Sequence, residues 1–130
     1  MGSRILYIED DPDNRALIKR VLESRGYTLI FAASGLAGVS MAENEEIDLI
    51  LLDINLPDID GYEAACRIRE STKKASLASL PIIVITANAL VGDAEKAISA
   101  GCNAYISKPI DIRELWAHVE KFLPPPTPRS

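Results

Sequence analysis

Five short aliphatic runs limit what this chain can fold into: "ILYI" at 5 to 8, "TLIFA" at 28 to 32, "LILLD" at 49 to 53, "IIVIT" at 82 to 86 and "AYIS" at 104 to 107. They are rich in Ile, Leu and Val and mostly lack polar alternation, the pattern of parallel strands covered on both faces. The segments between them have helical spacing. In the first, Leu17, Ile18, Val21 and Leu22 form one apolar stripe, with Asp11 placed as N-cap, Pro12 as the first residue and Gly26 as the stop. A second helix, weaker in pattern, is expected from Ser34 to Glu46. Asp60-Gly-Tyr-Glu63 and Asp111-Ile-Arg-Glu114 read as capping boxes opening helices that run to about Glu70 and Leu123, the last with Ile112, Leu115, Val119 and Phe122 as its buried face. A shorter helix runs from about Asp93 to Gly101, residues 71 to 80 are a polar loop, and Pro124 to Ser130 form a Pro-rich tail or linker. Strand and helix alternate five times, which predicts an α/β fold with a doubly wound parallel sheet and right-handed crossovers.

At 130 residues the chain is the size of one domain. Lys plus Arg is 14 against 19 Asp plus Glu, and the net charge of −5 has the wrong sign for direct nucleic-acid binding. Cys66 and Cys102 have no CxxC spacing, so two free, buried or half-buried thiols in a reducing cytoplasm are expected rather than a zinc site or a disulfide. No apolar stretch reaches the length of a membrane span, the N-terminus lacks a signal-peptide pattern, and Met1-Gly2-Ser3 reads as a cloning remnant.

"YIEDDPD", Tyr7 to Asp13, crowds Glu9, Asp10, Asp11 and Asp13 immediately after the first strand. Two carboxylates about 4 Å apart repel by roughly 4 kcal/mol at an effective dielectric near 20, so the crowding calls for a cation or a shared proton. In an open parallel sheet, ligands sit beyond the carboxyl ends of the strands. Those ends bring Glu9 and Asp10, Asp53, Thr86, and Ser107-Lys108-Pro109 to one edge. Three acids and one Lys leave a net negative hole that suits a hard divalent cation held by oxygens, Mg²⁺ first because it needs few protein ligands. Several neighbours read as structural instead. Asp11 is a helix cap, Asp13 a solvated acid of the first turn, and Asp58 and Asp60 turn and cap residues. His118 is expected to be half-exposed and structural, and Trp116 to pack near the last helix.

The acidic pair in "ILYIEDD", the acceptor in "LILLDINLPDIDG", the hydroxyl in "IIVITANAL" and the Lys-Pro of "AYISKPI" together resemble a response-regulator receiver domain of two-component signalling, like the single-domain chemotaxis regulators, over residues 4 to 123. The resemblance implies a (βα)5 flavodoxin-like fold with strand order 2-1-3-4-5. It implies that Asp53 takes a phosphoryl group from a histidine kinase or a histidine phosphotransfer protein, and that Mg²⁺ is bound by Asp10, by Asp53, by Glu9 through water and by the backbone carbonyl of Asn55. Thr86, Lys108 and the Ala87 backbone N–H would hold phosphoryl oxygens. Thr86 and Tyr105 would form a switch acting on the surface of helix four, strand five and helix five. The bond before Pro109 would be cis, and Asn55 and Asn88 would tune the lifetime of the phosphoryl group. Such a domain catalyses only its own phosphorylation and dephosphorylation. It acts through a downstream protein target as a monomer or weak dimer in the cytoplasm, with no membrane contact. No output domain follows Leu123, so a free-standing regulator and a receiver cut from a hybrid kinase are both open. An aspartate-nucleophile phosphatase would want a second acid where Asn55 stands, together with a cap domain over its substrate. A flavodoxin-like cofactor binder would want Gly where the first turn has acids.

Overall fold

The computed structural model of the chain describes residues 3–87 and 91–123, so Met1, Gly2, residues 88–90, Asn88 among them, and residues 124–130 lie outside the described residues. Strands β1 Arg4–Ile8, β2 Thr28–Ala32, β3 Leu49–Asp53, β4 Ile82–Thr86 and β5 Ala104–Ser107 alternate with helices α1 Pro12–Glu23, α2 Gly35–Asn44, α3 Gly61–Glu70, α4 Val91–Ser99 and α5 Ile112–Phe122. The strands form one parallel sheet in the order β2-β1-β3-β4-β5, the doubly wound, flavodoxin-like arrangement expected from the sequence.

β3 and β4 are buried at every position, which is why their sequences show no alternation. Successive side chains face opposite sides of the sheet. Leu6, Ile8, Ile50, Leu52, Ile82 and Val84 therefore meet Ala42, Ala64, Ala65, Ile68 and Ala97 of α2, α3 and α4. Ile5, Leu49, Leu51, Ile83, Ile85 and Ile106 meet Ile18 and Leu22 of α1 and Leu115 and Val119 of α5 on the other side. Each Ile, Leu or Val among them contributes about 1.5–3 kcal/mol by leaving water, so the strands are held from both faces.

Helix entry follows the sequence. Asp11 accepts from the Asp13 N–H, Ser34 from Ala37, Asp60 from Glu63, and Asp111 from Arg113 and Glu114. Gly26 ends the α1 turn at φ 93°, a left-handed conformation that favours glycine. Glu63 turns along its helix to Arg67, at 2.9 Å.

Three expectations need correction. Leu17 is 47% exposed and Ile112 is 38% exposed, so neither belongs to its helix's buried face. In α1 the core contact is carried by Ile18, Val21 and Leu22, a stripe one residue narrower than the one drawn. The "polar" loop at 71–80 contains a 3-10 turn, Ala75–Ala78, nucleated by Leu77, which is buried in the core beside α3. Finally, β5 is an edge strand in which only Ile106 is buried, unlike the central three.

Candidate functional site

The carboxyl edge of the sheet gathers the residues singled out above. Asp53 is the last residue of β3 and fully buried, and Glu9, one past β1, is 2% exposed. Glu9 extends the ladder by donating its N–H to the Ala32 carbonyl at 2.9 Å, and Lys108 does the same past β5, donating to the Thr86 carbonyl at 2.8 Å. Parallel pairing thus aims these side chains into one place.

Lys108 Nζ lies 2.7 Å from Asp53 Oδ2 and 3.9 Å from Glu9 Oε1. The second oxygen of Asp53, Oδ1, accepts the Asn55 N–H at 2.9 Å. Burial pushes the Glu9 carboxyl up to about 7 from its ordinary 4.5, and the neighbouring Asp53 carboxylate pushes the same way. Burial alone would depress the Lys108 ammonium, but its contact with Asp53 wins and holds it above its usual range. Asp10 is exposed beside them, close enough that its charge also favours the ammonium. Three acids thus share one cation, two of them inside the protein.

Thr86 ends β4, buried and in register with Ser107. With Ala87, Asn55, Ile54, Asp60, Tyr62 and Lys96 it lines a cleft of about 450 Å³ opening beside Asp53. The Lys108–Pro109 bond is cis. Tyr105 is on β5, 36% exposed, and faces a hollow of about 280 Å³ shared with Ile98, Cys102, His118 and Lys121. It stands apart from the acidic cluster, on the flank of the sheet.

The donor set is hard oxygen with net negative charge, which fits a divalent cation. Among the described residues no three Asp, Glu, His or Cys side chains converge as a cage. An ion here would complete its shell with a backbone carbonyl and water, a habit of Mg²⁺. Asp10, Asp53 and the Asn55 carbonyl would hold it, with Glu9 behind.

Some contributors escaped the sequence reading. Tyr7 donates its hydroxyl to Glu9 Oε1 at 3.1 Å, Asn14 reaches the same oxygen at 3.4 Å, and Arg15 holds the Glu9 carbonyl at 2.9 Å. Tyr7 could have been found, since it shares a strand face with Glu9 two residues on. Asp58 was read as a turn residue, yet it caps α2. Asp11 is a cap, and His118 is half-buried beside Glu114 at 3.9 Å. Trp116 packs on the end of α1, with the Arg25 guanidinium 3.8 Å above its ring. Both cysteines are free, Cys102 buried and Cys66 partly so.

Comparison with known proteins bears on this arrangement. The model of the response regulator receiver domain family matches residues 5–120. The polar-differentiation response regulator DivK of Brucella ovis is 34% identical over 123 residues, 95% of this chain and 98% of that protein. Hybrid signal transduction histidine kinase G of Dictyostelium discoideum is 38% identical over 125 residues, 93% of this chain but 4% of the kinase. Among solved structures, the receiver domain of a sensor histidine kinase from Pseudomonas aeruginosa PAO1 superposes with a TM-score of 0.84 and 39% identity, over 94% of this chain and 98% of that one. That crystal structure has a magnesium ion coordinated in its active-site cleft. No helix among the described residues is long and apolar enough to cross a membrane.

Proposed function

The chain belongs to the response-regulator receiver family, and from that premise we propose that Asp53 is its phosphoacceptor, fed by a phosphohistidine of a kinase or phosphotransfer protein. Receivers of two-component systems work with such partners. The observation that carries the assignment is Asp53 itself, fully buried at a strand end with one oxygen on Lys108 and the other on the Asn55 N–H. A buried carboxylate held this way has an oriented oxygen to offer.

In the reaction, an Asp53 oxygen attacks phosphorus, the O–P bond forms as the P–N bond breaks, and the imidazole leaves and takes a proton from solvent. Lys108 moves from balancing the carboxylate to balancing a phosphoryl oxygen, and Thr86 and the Ala87 N–H, at and just past the end of β4, serve the same space. A bound Mg²⁺ would supply neutralisation of the charge spread over the phosphoryl oxygens. Water later cleaves the mixed anhydride, returning the carboxylate and inorganic phosphate. Asn55, on the rim of the cleft, borders that water's approach.

The phosphoryl group adds nearly two negative charges beside Thr86. Thr86 shifts toward it, and Tyr105 turns into the space behind, changing the α4-β5-α5 surface that a downstream partner reads. A second reading concerns context. Receivers within kinases match at 38% and 39% identity, alongside DivK at 34%, so a receiver module of a hybrid histidine kinase is the second reading.

The test is incubation with acetyl phosphate and Mg²⁺, followed by intact mass and peptide mapping. One phosphoryl group on Asp53, absent in Asp53→Asn, is expected. A label placed on Ser107 or His118 would overturn the assignment.

A further inference from the structure

The loop between β3 and α3, residues 54–60, carries the Asn55 carbonyl, and its inner end is tied to the sheet. Ile54 donates to the Ile85 carbonyl at 3.1 Å, Gly61 donates to the Ile54 carbonyl at 3.0 Å, and Asn55 donates to Asp53. Its outer end is held by a different element. Asp58 Oδ1 accepts the Gly35 N–H and Oδ2 the Leu36 N–H, both at 2.8 Å, across 23 and 22 residues of sequence. These are two of the N–H groups that a helix start leaves without intrahelical partners. The third, of Ala37, goes to Ser34, so the start of α2 is capped from two sources. Contact there is close. A β-carbon on Gly35 would fall 2.5 Å from Ile59 Cγ1 and 3.3 Å from Asp58 Oδ1, so loop and helix meet at a spacing that glycine permits. Pro57 stiffens the two residues separating Asp58 from Asn55.

We propose that Asp58 is a positioning residue for the phosphoacceptor loop: by clamping the loop to the start of α2 it fixes where the Asn55 carbonyl stands, and so sets the affinity of the site for Mg²⁺. The inference rests on the proposed role of the Asn55 carbonyl and names a residue outside the acid cluster. A carboxylate accepting two N–H groups at a helix start is a charge-assisted, bidentate tie, stronger than a turn hydrogen bond. Groups that orient metal ligands affect binding nearly as much as the ligands do.

The experiment compares wild type, Asp58→Ala, Asp58→Asn and Ser34→Ala by Mg²⁺ titration calorimetry and by urea unfolding in EDTA. Asp58→Ala should weaken Mg²⁺ binding about tenfold. Asp58→Asn, which keeps one acceptor and loses the charge, should fall between it and wild type. Ser34→Ala removes a cap from the same helix without touching the loop. It should lower the urea midpoint yet leave Mg²⁺ affinity within about twofold of wild type. Wild-type affinity in Asp58→Ala, or equal weakening in Ser34→Ala, would overturn the proposal while leaving the function intact. Wild-type protein that binds no Mg²⁺ would remove the functional reading and this one with it.

Discussion

Each end of the sheet holds a part-buried cation, and the two have opposite company. At the amino end, Arg69 of α3 donates to the Gly101 carbonyl, the Leu77 carbonyl and Asn103 Oδ1, each at 2.9 Å. All three partners are neutral, and Asn103 Oδ1 also takes the Ile82 N–H, so one guanidinium joins helix, 3-10 turn and two strand starts through uncharged oxygens. At the carboxyl end, Lys108 faces two buried carboxylates and a third nearby. The amino end is a finished network. The carboxyl end is short of positive charge, and that shortage is what lets it take up a cation or exchange a proton. The contrast separates a polar cluster that holds the fold from one that works.

The largest effect that would sharpen this contrast is at Arg69. Arg69→Ala strips three oxygens of a donor, leaving Asn103 Oδ1 only the Ile82 N–H, and should cost about 3 kcal/mol of stability, read by urea unfolding, while Mg²⁺ affinity is unchanged. A parallel loss of Mg²⁺ binding would show that the two ends are coupled.

Next in size is the pH response of the metal-free protein. Glu9 titrates at about 7 when folded and at its ordinary 4.5 when unfolded, so between those values the folded state holds the extra proton. Stability from this group is fully present below 4.5, is lost as pH rises through 7, and stays lost above. Glu9→Gln should flatten that slope. An unaltered slope in the variant would place the titration elsewhere.

The smallest effect has the opposite sign. The Leu36 N–H, with the Gly35 N–H beside it, holds the Asp58 carboxyl down to about 2 from an ordinary 3.8. Its contribution is therefore present above 3.8 and fades as pH falls toward 2. Asp58→Asn should remove a shallow acid limb from the plot of stability against pH and lower the plateau above it, leaving the slope near neutral pH as it was.

These residues also show what a sequence carries. The strands were legible because burial on both faces leaves uninterrupted aliphatic runs, and the acids because strand ends in a parallel sheet have one place to go. The caps were legible because their partners lie two or three residues away. Arg69 and Asp58 were not, because an Arg on a helix and an Asp in a Pro-containing turn look solvated until partners 8 to 34 residues distant fold against them. Leu17 and Ile112 failed differently: periodicity gives the direction of an apolar face but not its width. Leu77 stood in plain view inside a polar loop, as the apolar residue that a short turn can bury.

The most direct measurement compares urea unfolding of wild type and Asp53→Asn at neutral pH, each in EDTA and in millimolar Mg²⁺. Removing one of the crowded charges should make Asp53→Asn more stable than wild type in EDTA by about 1–2 kcal/mol. Mg²⁺ at tenfold excess over its dissociation constant should raise wild type by about 1.4 kcal/mol and leave the variant unmoved. A variant less stable than wild type in EDTA, and stabilised by Mg²⁺ to the same extent, would contradict the claim that the carboxyl end keeps its charges unbalanced in order to bind.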